Sequence, residues 1–369
     1  MKRNWERKHI ADICEKASSN IALNKLEGAD GDYPVYGASG FVQNVDFYQR
    51  DTEYIGIVKD GSGVGRVNTY PAYSSLLGTM QYILPKDGYL LSFVSYALKS
   101  LNLASFASGA AIPHIYFKDY SKCQISVPPL EEQSRIVAEL DLLTGIIDKQ
   151  NAQLKELDNL AQAIFYDMFG DPIENPKRWA FEKLENVCSN IVDCPHSTPK
   201  KVDYKTEYPC IRTSELKGGS ISWTSMQYLE KEEYEIRIAR LKPVAGDIVF
   251  GREGSIGDTV ILPEGYNFSL GQRTMLLRAN SALMLNHFLH RTLMSEWVKR
   301  QIDAVNVSST VAHLNIKDFR QFNIPIPPFA LQQSFAEKIQ SIENQKAKIK
   351  TSIADTQKLL DYTMDKYFG

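Results

Sequence analysis

The sequence has few cysteines, no long apolar run and no excess of charge of one sign. Five cysteines stand among 369 residues at irregular spacings, which is typical of a chain in a reducing compartment rather than of a disulfide framework. No apolar stretch approaches the ~18 residues that a membrane-spanning helix needs, and the charged N-terminal residues lead into no apolar secretion signal. We therefore expect a cytoplasmic protein without a membrane partner.

The sequence also lacks the motifs of several enzyme classes. Residues 61–66 are rich in glycine but do not end in the Gly-Lys-Ser/Thr of a phosphate-binding loop, and no Gly-x-Gly-x-x-Gly cofactor loop occurs. The Asn/Asp-Pro-Pro-Tyr/Phe motif of amino-methyltransferases and the carboxylate–carboxylate–lysine cluster of nucleases are missing too. Cys188, Cys194, His196 and Cys210 include no Cys-x-x-Cys pair, which disfavours zinc. We predict no active site, metal or cofactor in this chain.

What the sequence does contain is a long internal repeat. Residues 114–170 align without a gap with residues 313–369 at an offset of 199, and residues 5–14 align with residues 179–188 at an offset of 174. The region between these two parts is therefore 25 residues longer in the second copy. Because a chain of 369 residues is expected to form more than one domain, the repeat predicts two related domains.

Histidines occupy equivalent positions of the two copies, at His114 and His313. A catalytic histidine needs a nucleophile or a carboxylate partner. No such partner is seen to recur in both copies of the sequence. We therefore predict a structural role for both histidines, at the junction between domain and helix.

The end of each copy has the apolar spacing of a long helix. Apolar residues alternate at spacings of four and three, as in a heptad seam. The first seam comprises Ile136, Leu140, Leu143, Ile147, Leu154, Leu157 and Ile164, and the second Ile339, Ile342, Ile349, Ile353 and Leu360. Gln150 and Lys346 are polar seam positions that could set the register. The seams predict that the helices pair with each other; the alternative is that each packs only on its own domain.

These patterns predict an α/β (α+β) fold with a pseudo-two-fold repeat. Residues 1–125 and 171–325 should form two mixed α/β domains, and residues 126–170 and 326–369 two long helices. Strand, glycine-rich turn and strand follow one another at 54–66 and again at 247–257, which is typical of hairpins. Neither α/β domain is strongly basic, so binding to nucleic acid would have to depend on local clusters.

Several short motifs together resemble the specificity subunit of type I restriction–modification systems. They are Pro-Pro-Leu-Glu-Glu-Gln at 128–133, Pro-Pro-Phe-Ala-Leu-Gln-Gln at 327–333, Tyr-Pro-Val-Tyr-Gly-Ala-Ser-Gly at 33–40, residues 193–199, and Phe-Gly-Asp-Pro at 169–172 followed by Asn175 and Trp179. Each motif alone is weak, but the combination is specific and covers essentially the whole chain.

The resemblance implies a function without catalysis in this chain. Each α/β domain would be a target recognition domain that reads one half of a split, asymmetric site in double-stranded DNA. The two helices would pair antiparallel as a spacer, and their surface would bind two methyltransferase subunits, which a nuclease subunit can join. S-adenosylmethionine would then belong to the methyltransferase subunits, and ATP and magnesium to the nuclease subunit.

Candidate DNA contacts are polar or basic residues in loops near strand ends. Arg66, or Arg252 in the second copy, is expected at a DNA groove or phosphate. The full set comprises Ser39, Ser62, Arg66, His196, Lys200, Lys201, Arg212, Arg252, Ser255, Gln272 and Arg273. Solvated loops and plain hairpin turns are the alternatives. At the level of function, the alternatives are a coiled-coil adaptor that never touches DNA and an enzyme with an unrecognised site.

Overall fold

The computed structural model describes residues 5–109, 112–254, 256–306 and 313–369. Two compact units make up the chain. Unit 1 comprises Met1–Ala152 and Ile349–Gly369, and unit 2 comprises Gln153–Lys348. Each unit therefore holds one α/β domain together with part of each long helix. No helix in the described part of the chain is long and apolar enough to cross a membrane.

Unit 1 is built on a four-stranded antiparallel sheet of order β2-β8-β5-β6. A second sheet has the order β4-β3-β7, and β1 pairs with β9. The strands are β1 Glu6–His9, β2 Cys14–Ser18, β3 Tyr33–Gly37, β4 Gly40–Val45, β5 Tyr54–Val58, β6 Val67–Tyr70, β7 Ser75–Leu76, β8 Met80–Pro85 and β9 Gln124–Val127. The helices are α1 Ile10–Ile13, α2 Leu91–Ser100, α3 Phe117–Tyr120 and α4 Leu130–Phe169.

Unit 2 repeats this plan with a sheet of order β11-β20-β17-β18. A second sheet has the order β12-β16-β13-β19, and the pairs β10-β21 and β14-β15 form two separate two-stranded sheets. The strands are β10 Ala180–Lys183, β11 Cys188–Asp193, β12 Lys201–Val202, β13 Pro209–Ile211, β14 Leu216–Lys217, β15 Ser220–Ile221, β16 Gln227–Leu229, β17 Ile248–Gly251, β18 Thr259–Ile261, β19 Ser269–Leu270, β20 Thr274–Ala279 and β21 Asn323–Ile326. The helices are α5 Leu184–Val187, α6 Lys231–Ile238, α7 Asn286–Leu293, α8 Glu296–Asn306, α9 Ile316–Arg320 and α10 Phe329–Phe368.

The repeat extends through the regions whose sequences differ. The strands β2, β8, β5 and β6 correspond in order and direction to β11, β20, β17 and β18. The parallel pair of β3 with β7 corresponds to that of β13 with β19. The two predicted hairpins are β5–β6 and β17–β18. The central strands β5 and β17 are buried throughout, and their apolar composition explains why both form at these positions.

The long helices pair antiparallel inside each unit, as predicted. In unit 1 the beginning of α4 contacts the end of α10, where Arg135 Nη2 donates to Tyr367 Oη at 3.2 Å and Gln150 Nε2 donates to Ser352 Oγ at 2.7 Å. In unit 2 the end of α4 contacts the beginning of α10, where Lys346 Nζ lies 2.7 Å from Asp158 Oδ1. The contacts between helices in both units confirm that they pair with each other.

Burial follows the predicted seam but covers a wider stripe. Ile136, Leu140, Leu143, Ile339 and Ile342 are buried. Ile147, Leu154, Leu157, Ile164, Ile349, Ile353 and Leu360 are partly buried. Phe165 and Phe169 are both buried. The Phe165 ring stacks on Phe288 of α7, and the Phe169 ring packs edge to face against the same phenylalanine. The helices therefore pack on the α/β domain as well as on each other.

A buried glutamine ties each long helix to its domain. Gln133 Nε2 donates to the carbonyls of Pro128 and Gly88 at 3.0 and 3.3 Å, and its Oε1 accepts from the Leu90 amide at 3.0 Å. Gln332 makes the equivalent bonds in unit 2, to Pro327, Leu283 and Leu285. Gln133 and Gln332 belong to the two proline-containing motifs. Their hydrogen bonds orient the start of each long helix.

Candidate nucleic-acid interface

In each unit, a turn joins two neighbouring strands of the antiparallel four-stranded sheet, β5 to β6 in unit 1 and β17 to β18 in unit 2. The first turn comprises residues 59–66, between β5 and β6, and the second turn comprises residues 252–258, between β17 and β18. Ser255 of the second turn lies outside the described residues. The end of β11 and the beginning of β20 lie at the same end of the sheet as the second turn, since Gly251 pairs with Thr274 and Asp193 with Met275. We call this end of the strands, in both units, the sheet edge.

The first turn is closed by backbone hydrogen bonds and glycines. The Gly65 amide donates to the Val58 carbonyl at 2.8 Å, and Gly65 has a φ of 85°. A Cβ at Gly65 would lie 2.4 Å from the Ala104 nitrogen, so only glycine fits there. Ser62 and Arg66 are exposed. The Arg66 guanidinium folds back to donate to the carbonyls of Gly63 and Ser62, each at 3.3 Å.

The second turn corrects the predicted equivalence of Arg66 and Arg252. The Val58 amide donates to the Arg66 carbonyl, and in unit 2 the Gly251 amide donates to the Asp258 carbonyl. The structural counterpart of Arg66 is therefore Asp258, and that of Arg252 is Lys59. Arg252 is buried, and its Nη1 lies 3.4 Å from Asp193 Oδ2. Arg252 does lie in the turn, but the expectation that its side chain would be available to DNA is wrong, because the guanidinium is buried beside Asp193.

Each turn carries a carboxylate that binds the histidine of its own copy. His114 Nδ1 contacts Asp60 Oδ1, and His313 Nδ1 lies 2.8 Å from Glu253 Oε1. The backbone repeats as well, since the Ile115 amide donates to the Lys59 carbonyl and the Leu314 amide to the Arg252 carbonyl, both at 3.0 Å. The prediction that no carboxylate partner recurs was wrong. The signal was present as Lys-Asp-Gly-Ser at 59–62 and Arg-Glu-Gly-Ser at 252–255.

Other predicted residues join the second turn in one polar network. Arg273 is exposed, has a φ of 67° and places its Nε 3.2 Å from Glu253 Oε2. His196 Nε2 lies 3.3 Å from Asp193 Oδ2, and Gln272 Nε2 donates to the His196 carbonyl at 2.9 Å. The structure therefore brings His196, Arg252, Gln272 and Arg273 together, although they span almost 80 positions of the sequence.

This network is rich in hydrogen-bond donors. Exposed guanidinium and amide groups are suited to base edges and phosphates. The residues that the structure describes include no group of His, Cys, Asp and Glu that could hold a metal ion. Burial raises the pKa of the Cys14 and Cys188 thiols to about 12, which keeps both in the unreactive thiol form.

A protein-family model matches the chain twice, once in each copy of the repeat. The model of the type I restriction modification DNA specificity domain matches residues 2–159 and residues 176–356. The chain belongs to this family. The two matches correspond to the two copies of the repeat, so this type I specificity subunit carries two DNA specificity domains.

Related proteins and a solved structure agree with the assignment. The type I restriction enzyme MjaVIII specificity subunit of Methanocaldococcus jannaschii is 24% identical over 375 residues, which cover 92% of this chain and 86% of that protein. The MjaIX specificity subunit of the same organism is 22% identical over 284 residues, covering 70% of this chain and 64% of that protein. The S subunit of a type I restriction–modification system from M. genitalium has the same fold, with a TM-score of 0.60 at 15% identity, covering 100% of this chain and 97% of that chain.

The remaining predicted residues of this specificity subunit lie elsewhere on the two domains. Lys200 and Lys201 are exposed before and at the start of β12, and Ser39 is exposed at the turn from β3 to β4. Arg212 is held by Glu215, which is fully buried: Nη2 donates to Oε1 at 2.7 Å and Nε to Oε2 at 3.2 Å. Its geometry is that of a counter-ion for a buried carboxylate.

Proposed function

We propose that this chain is the non-catalytic DNA-recognition subunit of a type I restriction–modification complex and reads a bipartite, asymmetric site. Each α/β domain would read one half-site. The long helices would set the spacing and hold methyltransferase subunits, through which a nuclease subunit joins. S-adenosylmethionine would be bound by the methyltransferase subunits, and ATP and magnesium by the nuclease subunit.

The observation that carries this proposal is the combination of one backbone plan with two sets of side chains. Equivalent backbone positions, defined by the same hydrogen bonds, hold Arg66 in unit 1 and Asp258 in unit 2. In the same way the amide of Arg252 donates to the Arg273 carbonyl where that of Lys59 donates to the Thr79 carbonyl. The two domains share one fold but carry different polar groups at the equivalent sheet edge of each domain. They are therefore suited to two different base sequences.

Exposure narrows the set of residues that we expect to contact DNA. Arg66, His196, Lys200, Lys201 and Arg273 are exposed, so DNA can reach them. Arg212 and Arg252 instead neutralise buried or half-buried carboxylates, and a guanidinium engaged in this way costs more to redirect. We therefore propose that base and phosphate contacts come mainly from the exposed group, with Gln272 beside it.

Docking of partner subunits on the helices is supported by exposed apolar residues. The exposed large apolar residues on the long helices include Leu142 and Leu160 of α4, and Leu359 and Tyr362 of α10. A partner that covered these side chains would remove their apolar surface from water, which favours association. The alternative function, an adaptor that never touches DNA, would use the same helices but not the polar sheet edges.

Methylome sequencing tests the proposal directly. Cells that carry the chain with its methyltransferase subunits should contain N6-methyladenine in one split motif, which disappears when the gene is deleted. The variants Arg66→Ala and Arg273→Ala should each relax or weaken one half of the motif only, by about tenfold, because a good side chain to base contact contributes that much discrimination. Arg300→Ala, an exposed arginine on α8, is the matched control.

One result would contradict the proposal, and a second would narrow it. A methylome that is unchanged by deletion of the gene would favour the adaptor. Variants Arg66→Ala and Arg273→Ala that behave like Arg300→Ala would leave recognition intact but remove these two arginines from it.

A further inference from the structure

A carboxylate–histidine pair occurs at the sheet edge of both units, Asp60–His114 in unit 1 and Glu253–His313 in unit 2. Both the side-chain types and the backbone positions repeat. In both units a basic residue, an acidic residue and a glycine follow the central strand, and the acidic residue contacts the histidine. The basic neighbour also repeats its contact: Lys59 Nζ lies 3.8 Å from Asp60 Oδ2, and Arg252 Nη2 lies 3.8 Å from Glu253 Oε1.

The internal repeat makes this recurrence informative. Residues that read bases should differ between the two units, because the half-sites differ under the proposed function. Arg66 and Asp258 differ in this way at equivalent positions. A group that is the same in both units is better suited to a task that does not depend on base sequence.

The geometry shows what the pair holds. In unit 1 the Gly61 amide donates to the Pro113 carbonyl at 2.9 Å, so the first turn is bonded to the segment that leads into His114. Gly61 and Gly254, which follow the two carboxylates, have left-handed φ values of 78° and 73°. Glycine-rich turns lose much conformational entropy when they are ordered. A side-chain bond at the base of the turn reduces the entropy that DNA binding would otherwise have to overcome.

Direct contact with DNA is a poorer explanation of the carboxylates. A carboxylate at a DNA-facing turn repels phosphate, so Asp60 and Glu253 would oppose binding unless their charge had another purpose. Both accept from an imidazole and lie beside a cation. In unit 2 the same carboxylate also holds Arg273, one of the proposed readers.

We infer that Asp60–His114 and Glu253–His313 are positioning pairs that hold the two turns in the conformation that accepts DNA. This inference rests on the proposed function. Each pair acts on its own half-site, and neither histidine needs to touch DNA.

The test uses the full chain in complex with its methyltransferase subunits. The probes are duplexes that carry the motif mapped for the wild-type complex, with both halves intact or with one half scrambled. His114→Ala should weaken binding about tenfold or more through one half-site, and His313→Ala through the other, because each loses a charge-assisted hydrogen bond. His114→Asn and His313→Asn should restore most of the affinity, since the asparagine amide can donate to the carboxylate from the place of Nδ1.

His9→Ala is the matched control, because His9 is an exposed histidine of unit 1 that bonds the Lys122 carbonyl at 2.7 Å. It should leave both half-sites unchanged. Melting temperatures of all variants identify any general loss of folding.

Several outcomes would overturn the inference. Alanine variants with wild-type affinity would show that the pairs hold nothing that DNA binding needs. Asparagine variants as weak as alanine would show direct contact by the imidazole, and equal losses at both half-sites would show general destabilisation. A wild-type complex without any preferred motif would instead overturn the proposed function and this inference with it.

Discussion

At the scale of single residues, burial decides which charged and titratable groups remain available to a ligand. Arg212 and Arg252 have the sequence context of loop residues, yet each is held by a carboxylate that is itself largely removed from water. Arg237 of α6 is a further case, since it is buried and donates to the carbonyls of Leu270 and Ser197. Tertiary structure therefore separates these arginines from the exposed Arg66 and Arg273.

Burial also predicts a pH dependence of stability through His290. Burial lowers the pKa of His290 to about 3, although the hydrogen bond to the Thr259 carbonyl acts in the opposite direction. In the unfolded chain the imidazole titrates near its ordinary value of about 6.5. Between these values the unfolded state binds a proton that the folded state does not. Stability should therefore be unaffected above about pH 6.5 and fall as the pH decreases below it, by at most about 1.4 kcal/mol per pH unit.

Urea unfolding between about pH 7 and pH 5 checks this prediction. His290→Gln can still donate to Thr259 but cannot titrate, so its free energy of unfolding should fall less steeply than that of the wild type. His9→Gln, at an exposed histidine, should retain the wild-type slope. Equal slopes for all three proteins would rule out His290 as the source.

At the scale of elements, the two parts of the helix pair differ in one buried lysine that binds two partly exposed carboxylates. Lys346 is buried in unit 2 and bonds Asp158 and Glu343 at 2.7 and 2.9 Å. Burial lowers the pKa of Lys346, but these two carboxylates more than offset that effect and raise it overall. At the offset of 199 the counterpart of Lys346 is Ile147. The apolar counterpart shows that the helix pair does not require a lysine at this position.

Replacement of the lysine by its counterpart should not weaken the protein. We expect Lys346→Ile to be neutral or to raise the free energy of unfolding by about 1 kcal/mol. The two carboxylates that it leaves, Asp158 and Glu343, are about half exposed and stay solvated, while the isoleucine packs in the place of the buried lysine. The double variant Asp158→Ala with Glu343→Ala should lower it by about 3 kcal/mol, since a buried ammonium would lose its partners. Chemical denaturation measures both. A loss for Lys346→Ile as large as that of the double variant would show that the lysine itself is needed for pairing.

At the scale of the whole molecule, the proposed spacing role of the helices predicts a change in the DNA motif. Seven residues inserted between Ala152 and Gln153 in α4, and seven between Lys348 and Ile349 in α10, would add one heptad to each helix and keep the seam in register. Each helix would lengthen by about 10 Å, which equals about three base pairs of DNA. The methylated motif should keep both half-sites and gain about three unread base pairs.

The control is the same insertion in α4 alone, which should disrupt pairing and abolish methylation. A lengthened pair that still methylates the original motif would show that the helices do not set the spacing.

Much of the architecture follows from the sequence because periodic patterns are local. The heptad seam, the prolines before α4 and α10, and the constant offset of 199 together predict two long helices and two related domains. The hairpins at β5–β6 and β17–β18 follow from apolar runs joined by glycines. The family motifs lie in this repeated scaffold, so the resemblance could also be recognised from sequence.

The composition of the interface depended on contacts between residues distant in sequence. Glu253 forms ion pairs with Arg273 and His313, and Asp193 with His196 and Arg252. These residues lie in segments that become neighbours only in the folded domain. The equivalence of Arg66 with Asp258 likewise follows from backbone hydrogen bonds and not from alignment. Sequence by itself determined the duplicated scaffold, because its pattern is periodic. Only the tertiary structure decided which polar groups are paired, buried or exposed at the sheet edges, because burial and ion pairing are properties of the folded surface.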